Sequence, residues 1–215
     1  MSTKEIFSKY PNWDKWEPYF AVYDQYFEKY RNTSPVFVEV GVYKGGSIKS
    51  WIDYFGPNAK IYGIDIAPLI DKVEGASIIL GDQSSGEFWD KTLPIIGDID
   101  CFLDDGGHTM EQQIITFLKV WPKIKNGGVF ICEDTHTSYY PGHGGSYKNA
   151  MNKNSTTFIE FAKQLIDGLH LAHFQTAHDL SPLILDMVKD IGQISFYDSM
   201  VVFVKGKQPF TRIIT

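Results

Sequence analysis

The sequence predicts an α/β fold, a mostly parallel sheet with helices on both faces. Three observations carry that expectation. Short β-branched runs alternate with amphipathic stretches, the order of repeated strand–helix–strand units. The runs end at small or acidic residues, and the first is followed by a glycine turn, Gly41-Val-Tyr43-Lys-Gly45-Gly46-Ser47. Near the end, residues 194–197 and 200–204 flank Asp198-Ser199, which reads as an antiparallel pair closing the sheet.

Ahead of the first strand, Trp13, Trp16, Tyr19, Phe20, Tyr23, Tyr26 and Phe27 recur at intervals of three and four, predicting an amphipathic helix. Its aromatic stripe reads first as packing and second as a wall of a ligand pocket. Residues 36–40 form the first strand, and Ser47 is expected to cap a helix through Tyr54 that stops at Phe55-Gly56-Pro57. Strands follow at 60–64, 77–80, 99–103 and 129–132, making seven with the closing pair. A helix over 111–121 carries Ile114, Ile115, Leu118 and Trp121 before Pro122. Residues 133–154, rich in Gly, Tyr, His and Ser, show no periodicity, as functional loops often do. Helix returns over 156–168, and Ser181-Pro182 opens a short one toward Lys189. The reading is one domain over 1–215, with 1–35 a helical N-terminal extension and 133–154 an active-site loop.

With 43% hydrophobic and 21% charged residues in 215, the chain can build a substantial core. Twenty basic against twenty-six acidic residues give −6, and no dense Lys/Arg run is present. Nucleic acid is therefore not an expected partner. The start has no apolar signal region and no stretch approaches a membrane span, so a cytoplasmic protein without a membrane partner is expected. Cys101 and Cys132, without a C-x-x-C motif, read as buried free thiols.

Glycines at a strand-to-helix turn let a ligand approach the backbone and face the helix N-terminus. Here Glu39 and Gly41 lead into G-x-x-x-G-G rather than G-x-G-x-x-G, which counts against NAD. Asp65 stands 26 residues after Glu39 and 19 after Gly46, near the roughly 20-residue offset at which a carboxylate meets a ribose diol. Asp82-Gln83 follows the third strand and is placed to meet an adenine edge.

Asp104-Asp105-Gly-Gly-His108 and Glu133-Asp134-Thr-His136 follow the fourth and fifth strands. Four carboxylates at one rim repel unless they share a cation, and oxygen ligands suit Mg²⁺. Asp104 is the one most readily occupied by backbone N–H groups or the cofactor. His108 is the leading proton acceptor, His136 the second, and His143 a substrate contact. No function is assigned to His170, His173 or His178.

These motifs resemble class I S-adenosylmethionine-dependent methyltransferases. Asp104-Asp-Gly-Gly-His108, Glu133-Asp-Thr-His-Thr-Ser-Tyr139 and Phe196-Tyr-Asp-Ser199 resemble, more narrowly, the bacterial macrolide and aminocoumarin sugar O-methyltransferases of the mycinamicin and tylosin type, relatives of proteins labelled cephalosporin hydroxylase. The resemblance implies a Rossmann-like seven-stranded sheet with an antiparallel C-terminal strand. It implies S-adenosylmethionine held by Glu39, Gly41, Tyr43, Gly45, Ser47, Asp65, Asp82, Gln83 and Asp104. It further implies Mg²⁺ on Asp105, Asp134 and Glu133, with His108 as base toward a sugar or glycoside hydroxyl. Alternatives are an N-methyltransferase or catechol-type O-methyltransferase, an NAD-dependent oxidoreductase and a non-catalytic nucleoside-binding module. Association into a homo-oligomer is left open by the motifs.

Overall fold

A computed structural model describes residues 1–67, 72–147, 156–170 and 182–206. The chain runs α1 (Thr3–Phe7), α2 (Tyr19–Phe27), β1 (Val36–Val40), α3 (Gly46–Phe55), β2 (Lys60–Asp65), β3 (Ala76–Leu80) and α4 (Gly86–Ile96). It continues through β4 (Ile99–Asp104), α5 (Met110–Val120), β5 (Ile124–Cys132), α6 (Phe158–Leu169), α7 (Pro182–Val188), β6 (Ile191–Tyr197) and β7 (Met200–Lys205). The strands form one seven-stranded sheet in the order β3-β2-β1-β4-β5-β7-β6. Pairing is parallel from β3 to β5, whereas β7 runs antiparallel to both neighbours.

Side chains alternate across the pleat, so the central strands feed two cores. Val38, Phe102, Phe130 and Phe203 face α4, α5 and α6 through Trp89, Phe117 and Leu165. Phe37, Leu103, Ile131 and Val202 face α1, α2 and α3 through Phe7, Tyr23, Phe27 and Trp51. Cys101 and Cys132 are free and buried as expected. No helix among the described residues is long and apolar enough to cross a membrane.

Two local expectations are corrected. The aromatic stripe is helical only over Tyr19–Phe27, because Trp13 and Trp16 lie between Pro11 and Pro18 in non-helical chain. Trp16 is 45% exposed, whereas Tyr19, Tyr23 and Phe27 are buried. The earlier α1 is opened by a reciprocal Ser2–Glu5 capping box at its N-terminus. Ser47 is not a cap: α3 starts at Gly46 after Gly45 in the left-handed conformation (φ 75°), with no side-chain cap. Its first N–H groups are thereby left for other partners. Gly97, also at positive φ, ends α4 in spite of Pro94 inside that helix. The 133–154 segment is described to residue 147 and there forms short 3₁₀ turns, Thr135–Tyr139 and Pro141–His143. Ser181, His173 and His178 lie outside the described residues.

Candidate active site

The sheet order reverses direction between β1 and β4, the place where open α/β sheets leave a crevice at their carboxyl ends. A cleft of about 510 Å³ lies there, bounded by the chain after β1, β2, β3 and β4, by Asp134 after β5, and by the Asn12–Tyr19 stretch. Its size suits a small organic ligand. Gly41 makes the close fit workable. Its φ is +97°, and a Cβ there would lie 2.0 Å from the Asp105 carbonyl oxygen, so only glycine lets the β1 turn lie against the β4 loop.

Asp65 sits at the end of β2 with Oδ2 accepting from the Val42 and Tyr43 N–H groups, each at 2.9 Å, and Oδ1 accepting from Ala67 N–H at 2.9 Å. The carboxylate braces the glycine turn while lining the cleft. Asp82 also lines it, its Oδ1 taken by Ser84. Gln83 has less to offer a ligand. Its amide N–H groups donate to Asp104 Oδ1 (2.8 Å) and Thr116 Oγ1 (3.1 Å), and its carbonyl accepts from Gly107 N–H (2.9 Å). Tyr43 and Ser47 line the cleft, whereas Glu39, Gly45 and Asp104 do not.

Asp104 is buried and its Oδ2 has no partner. Burial pushes its carboxyl up to about 7, outweighing the Gln83 hydrogen bond. A raised carboxyl holds its proton longer in the folded state, so its stabilising contribution is complete below pH ~4 and is lost as pH rises through about 7. Asp104→Asn is expected to flatten the fall of stability between those limits and to be more stable than wild type at pH 8. Urea unfolding across that range checks this.

Asp105, His108 and Asp134 converge beside these groups, each offering a ligating atom within 4.8 Å of the others. The turns that aim them are strained: His108 has φ 58° and Asp134 φ 52°. His108 Nε2 lies 3.4 Å from Asp134 Oδ2, and its buried Nδ1 has no partner. Burial pushes the imidazole pKa down, against the opposing pull of Asp105 and Asp134. The ring is therefore poised to accept a proton. His136 stands apart from the cleft, with Nδ1 on Ser199 Oγ and its ring stacked on Trp16. His143 borders a second, more open groove with Met110, Ile114 and Ile115.

The carboxylates carry a cation that motif reading did not find. Lys15 Nζ donates to Glu39 Oε1 at 3.3 Å, Asp105 Oδ2 at 2.6 Å and Glu133 Oε2 at 3.1 Å. Burial alone would lower the ammonium pKa, but the surrounding carboxylates hold it well above its ordinary value. Ser47 and Trp51 also donate to Glu39, and Tyr23 to Glu133. Both glutamates are thus fully buried and internally partnered, and Glu133 falls outside the convergent Asp105–His108–Asp134 set. Tyr19 adds a hydrogen bond to Asp134 Oδ1 at 2.6 Å.

A family model described as a methyltransferase domain matches residues 38–135. The chain is 33% identical over 171 residues to the 8-demethyl-8-alpha-L-rhamnosyl tetracenomycin-C 2'-O-methyltransferase of Streptomyces olivaceus, covering 75% of this chain and 44% of that protein. It is 31% identical over 194 residues to the mycinamicin VI 2''-O-methyltransferase of Micromonospora griseorubida, covering 86% and 47%. The chain spans about half the length of the curated relatives it matches. Among solved structures, MycE methyltransferase in complex with Mg and SAH superposes with a TM-score of 0.82 at 29% identity, over 96% of this chain and 55% of that one. A further MycE structure, with Mg, SAH and mycinamycin VI, gives 0.81. The resemblance read from the motifs is borne out: a methyltransferase-domain model matches residues 38–135, and the chain has the fold of MycE.

Proposed function

We propose that this protein transfers a methyl group from S-adenosylmethionine, as methyl-donating substrate, to a hydroxyl of a sugar on a glycosylated small molecule. The observation that carries the reading is the Asp105–His108–Asp134 group on the wall of a cleft that also presents Asp65 and Asp82. One side of the cleft has carboxylates for a ribose diol and an adenine amine. The other has an imidazole and two carboxylates for an acceptor hydroxyl. The names of the relatives, all O-methyltransferases, support oxygen as the acceptor atom. In this reading the Asn12–Tyr19 stretch of the 1–35 extension walls the cleft, and 133–154, described to residue 147, serves as the active-site loop.

The donor set fits a hard divalent ion, because Asp105 and Asp134 present carboxylate oxygens near one another with room for acceptor or water oxygens in the cleft. When bound, Mg²⁺ would supply Lewis-acid polarisation of the acceptor hydroxyl. His108 receives the hydroxyl proton as the oxygen attacks the methyl carbon and the methyl C–S bond breaks, its electron pair leaving with S-adenosylhomocysteine. Tyr19 and the short turn after β5 hold Asp134 in place.

The test is product formation from S-adenosylmethionine with a panel of deoxysugar glycosides, read by mass spectrometry. Gain of one methyl on a sugar oxygen, lost on chelation and restored by Mg²⁺, is the expected result. Methylation confined to amines or catechols, or full activity in excess EDTA with no retained metal, would contradict it. Asp65→Ala is expected to weaken S-adenosylhomocysteine binding by about 1.5–3 kcal/mol, the range for hydrogen bonds to a charged group. Calorimetry checks this, and an unchanged Kd in the folded variant removes Asp65 from the nucleoside site.

A further inference from the structure

The chemistry above does not use Lys15, although its side chain is only 1% exposed and it sits on the cleft wall. An ammonium has three N–H donors. Here they go to carboxylates from three strand ends: Glu39 in β1, Asp105 after β4 and Glu133 after β5. The outer sides of this knot are closed as well. Ser47 and Trp51 donate to Glu39, and Tyr23 donates to Glu133. Asp105 alone of the three carboxylates also belongs to the convergent group with His108 and Asp134.

We propose that Lys15 is a built-in counter-ion, a positioning residue that holds the acidic cluster together when no divalent ion is present and sets ion affinity by competing for Asp105. This rests on the reading of Asp105 and Asp134 as ion ligands. Three carboxylates packed together in a poorly solvated site repel strongly without a cation, and the lysine provides one that cannot diffuse away. The same charge raises the cost of adding a second cation. An ion on Asp105 would share that carboxylate with an ammonium already 2.6 Å from Oδ2, and the two positive charges would face each other across a single group. The lysine thus trades ion affinity for an acidic cluster that stays assembled without the ion.

Mn²⁺ is a suitable probe, with free ion counted by electron paramagnetic resonance and thermal unfolding measured with and without it. Wild type, Lys15→Met and Lys15→Arg are compared. Lys15→Met is expected to bind Mn²⁺ about 10–100-fold more tightly, the scale on which groups around a metal's ligands alter affinity. Its melting temperature should also rise more on adding Mn²⁺ than that of wild type. Lys15→Arg, which keeps the positive charge, should bind Mn²⁺ less tightly than Lys15→Met and nearer to wild type. Equal or weaker binding by Lys15→Met overturns the proposal, as does Lys15→Arg binding as tightly as Lys15→Met. If Lys15→Met stays unfolded at saturating Mn²⁺, an ion cannot replace the ammonium and the proposal is also wrong. Failure of all three proteins to bind Mn²⁺ would instead remove Asp105 and Asp134 as ligands, and the competition with them.

Discussion

Replacing His108 is expected to lower kcat by about 10²–10⁴-fold, the usual contribution of a positioned general base, while leaving the Kd for S-adenosylhomocysteine unchanged. The separation follows from the cleft. Asp65 and Asp82, proposed above for the nucleoside, lie at the end of β2 and after β3, and His108 lies on the β4 loop beside Asp134. Because burial holds the imidazole below its ordinary pKa, the ring is neutral at pH 7 and competent to take a proton. The acid limb of the wild-type pH–rate profile should therefore fall below the ordinary imidazole value of about 6.5. The limb should vanish in the variant. His108→Asn is the better first choice than alanine, since asparagine tolerates the positive φ found there. Turnover close to wild type in both variants would move the base to His136 or to water.

Most of the fold was legible because a parallel sheet buried on both faces writes itself as apolar runs. The expected strand at 36–40 matches β1 to the residue, and those at 60–64 and 99–103 stop one residue early because β2 and β4 end in acids, Asp65 and Asp104. Only 129–132 of strand β5 is legible, since its first half contains Lys125, Asn126, Gly127 and Gly128, a poor strand pattern across which the register with β4 shifts between the Ile99–Ile124 and Cys101–Val129 pairs. Stretches set by tertiary contact were read less well. Trp13 and Trp16 fit a helical period, yet the prolines around them and the packing of Gly46 against the Pro11 and Asn12 backbone dictate non-helical chain.

The site divides in the same way. Asp65, Asp82, Asp105, His108 and Asp134 could be found because strand ends converge on one crevice, and all line it. Glu39 and Glu133 share those strand ends, but their side chains point to the face occupied by Trp51 and Tyr23, and their partners are internal. Lys15 is not legible as a site residue, because a lysine between Asp14 and Trp16 looks like a solvated one. The available signal is electrostatic: four adjacent carboxylates demand positive charge, which a buried ammonium can supply as well as a metal.

Trp51→Ala is expected to cost about 3–5 kcal/mol, the range for truncating a large buried aromatic side chain. Trp51 is fully buried on α3 and meets Phe7 at 4.9 Å, Phe37 at 5.0 Å and Tyr23 at 5.2 Å between ring centroids. It thereby ties both N-terminal helices to the sheet. Its indole N–H also donates to Glu39 Oε1 at 3.2 Å, so truncation opens a cavity and removes a donor from a buried carboxylate. Against a typical total stability of about 5–15 kcal/mol, that loss is severe. It corresponds to a fall in melting temperature of roughly 6–20 °C for a chain of this size. Trp51→Phe separates the two contributions. It fills most of the volume but leaves Glu39 one donor short, an expected cost of about 1–3 kcal/mol, with a smaller share from lost contact. Thermal unfolding of the three proteins by circular dichroism measures both steps. If the phenylalanine variant matches wild type, the indole N–H contributes nothing to holding Glu39, and the Lys15 cluster is supported by Ser47 and Tyr23 alone. If the alanine variant loses less than about 1 kcal/mol, surrounding rings have closed the cavity, and the aromatic face is softer than its ring contacts imply.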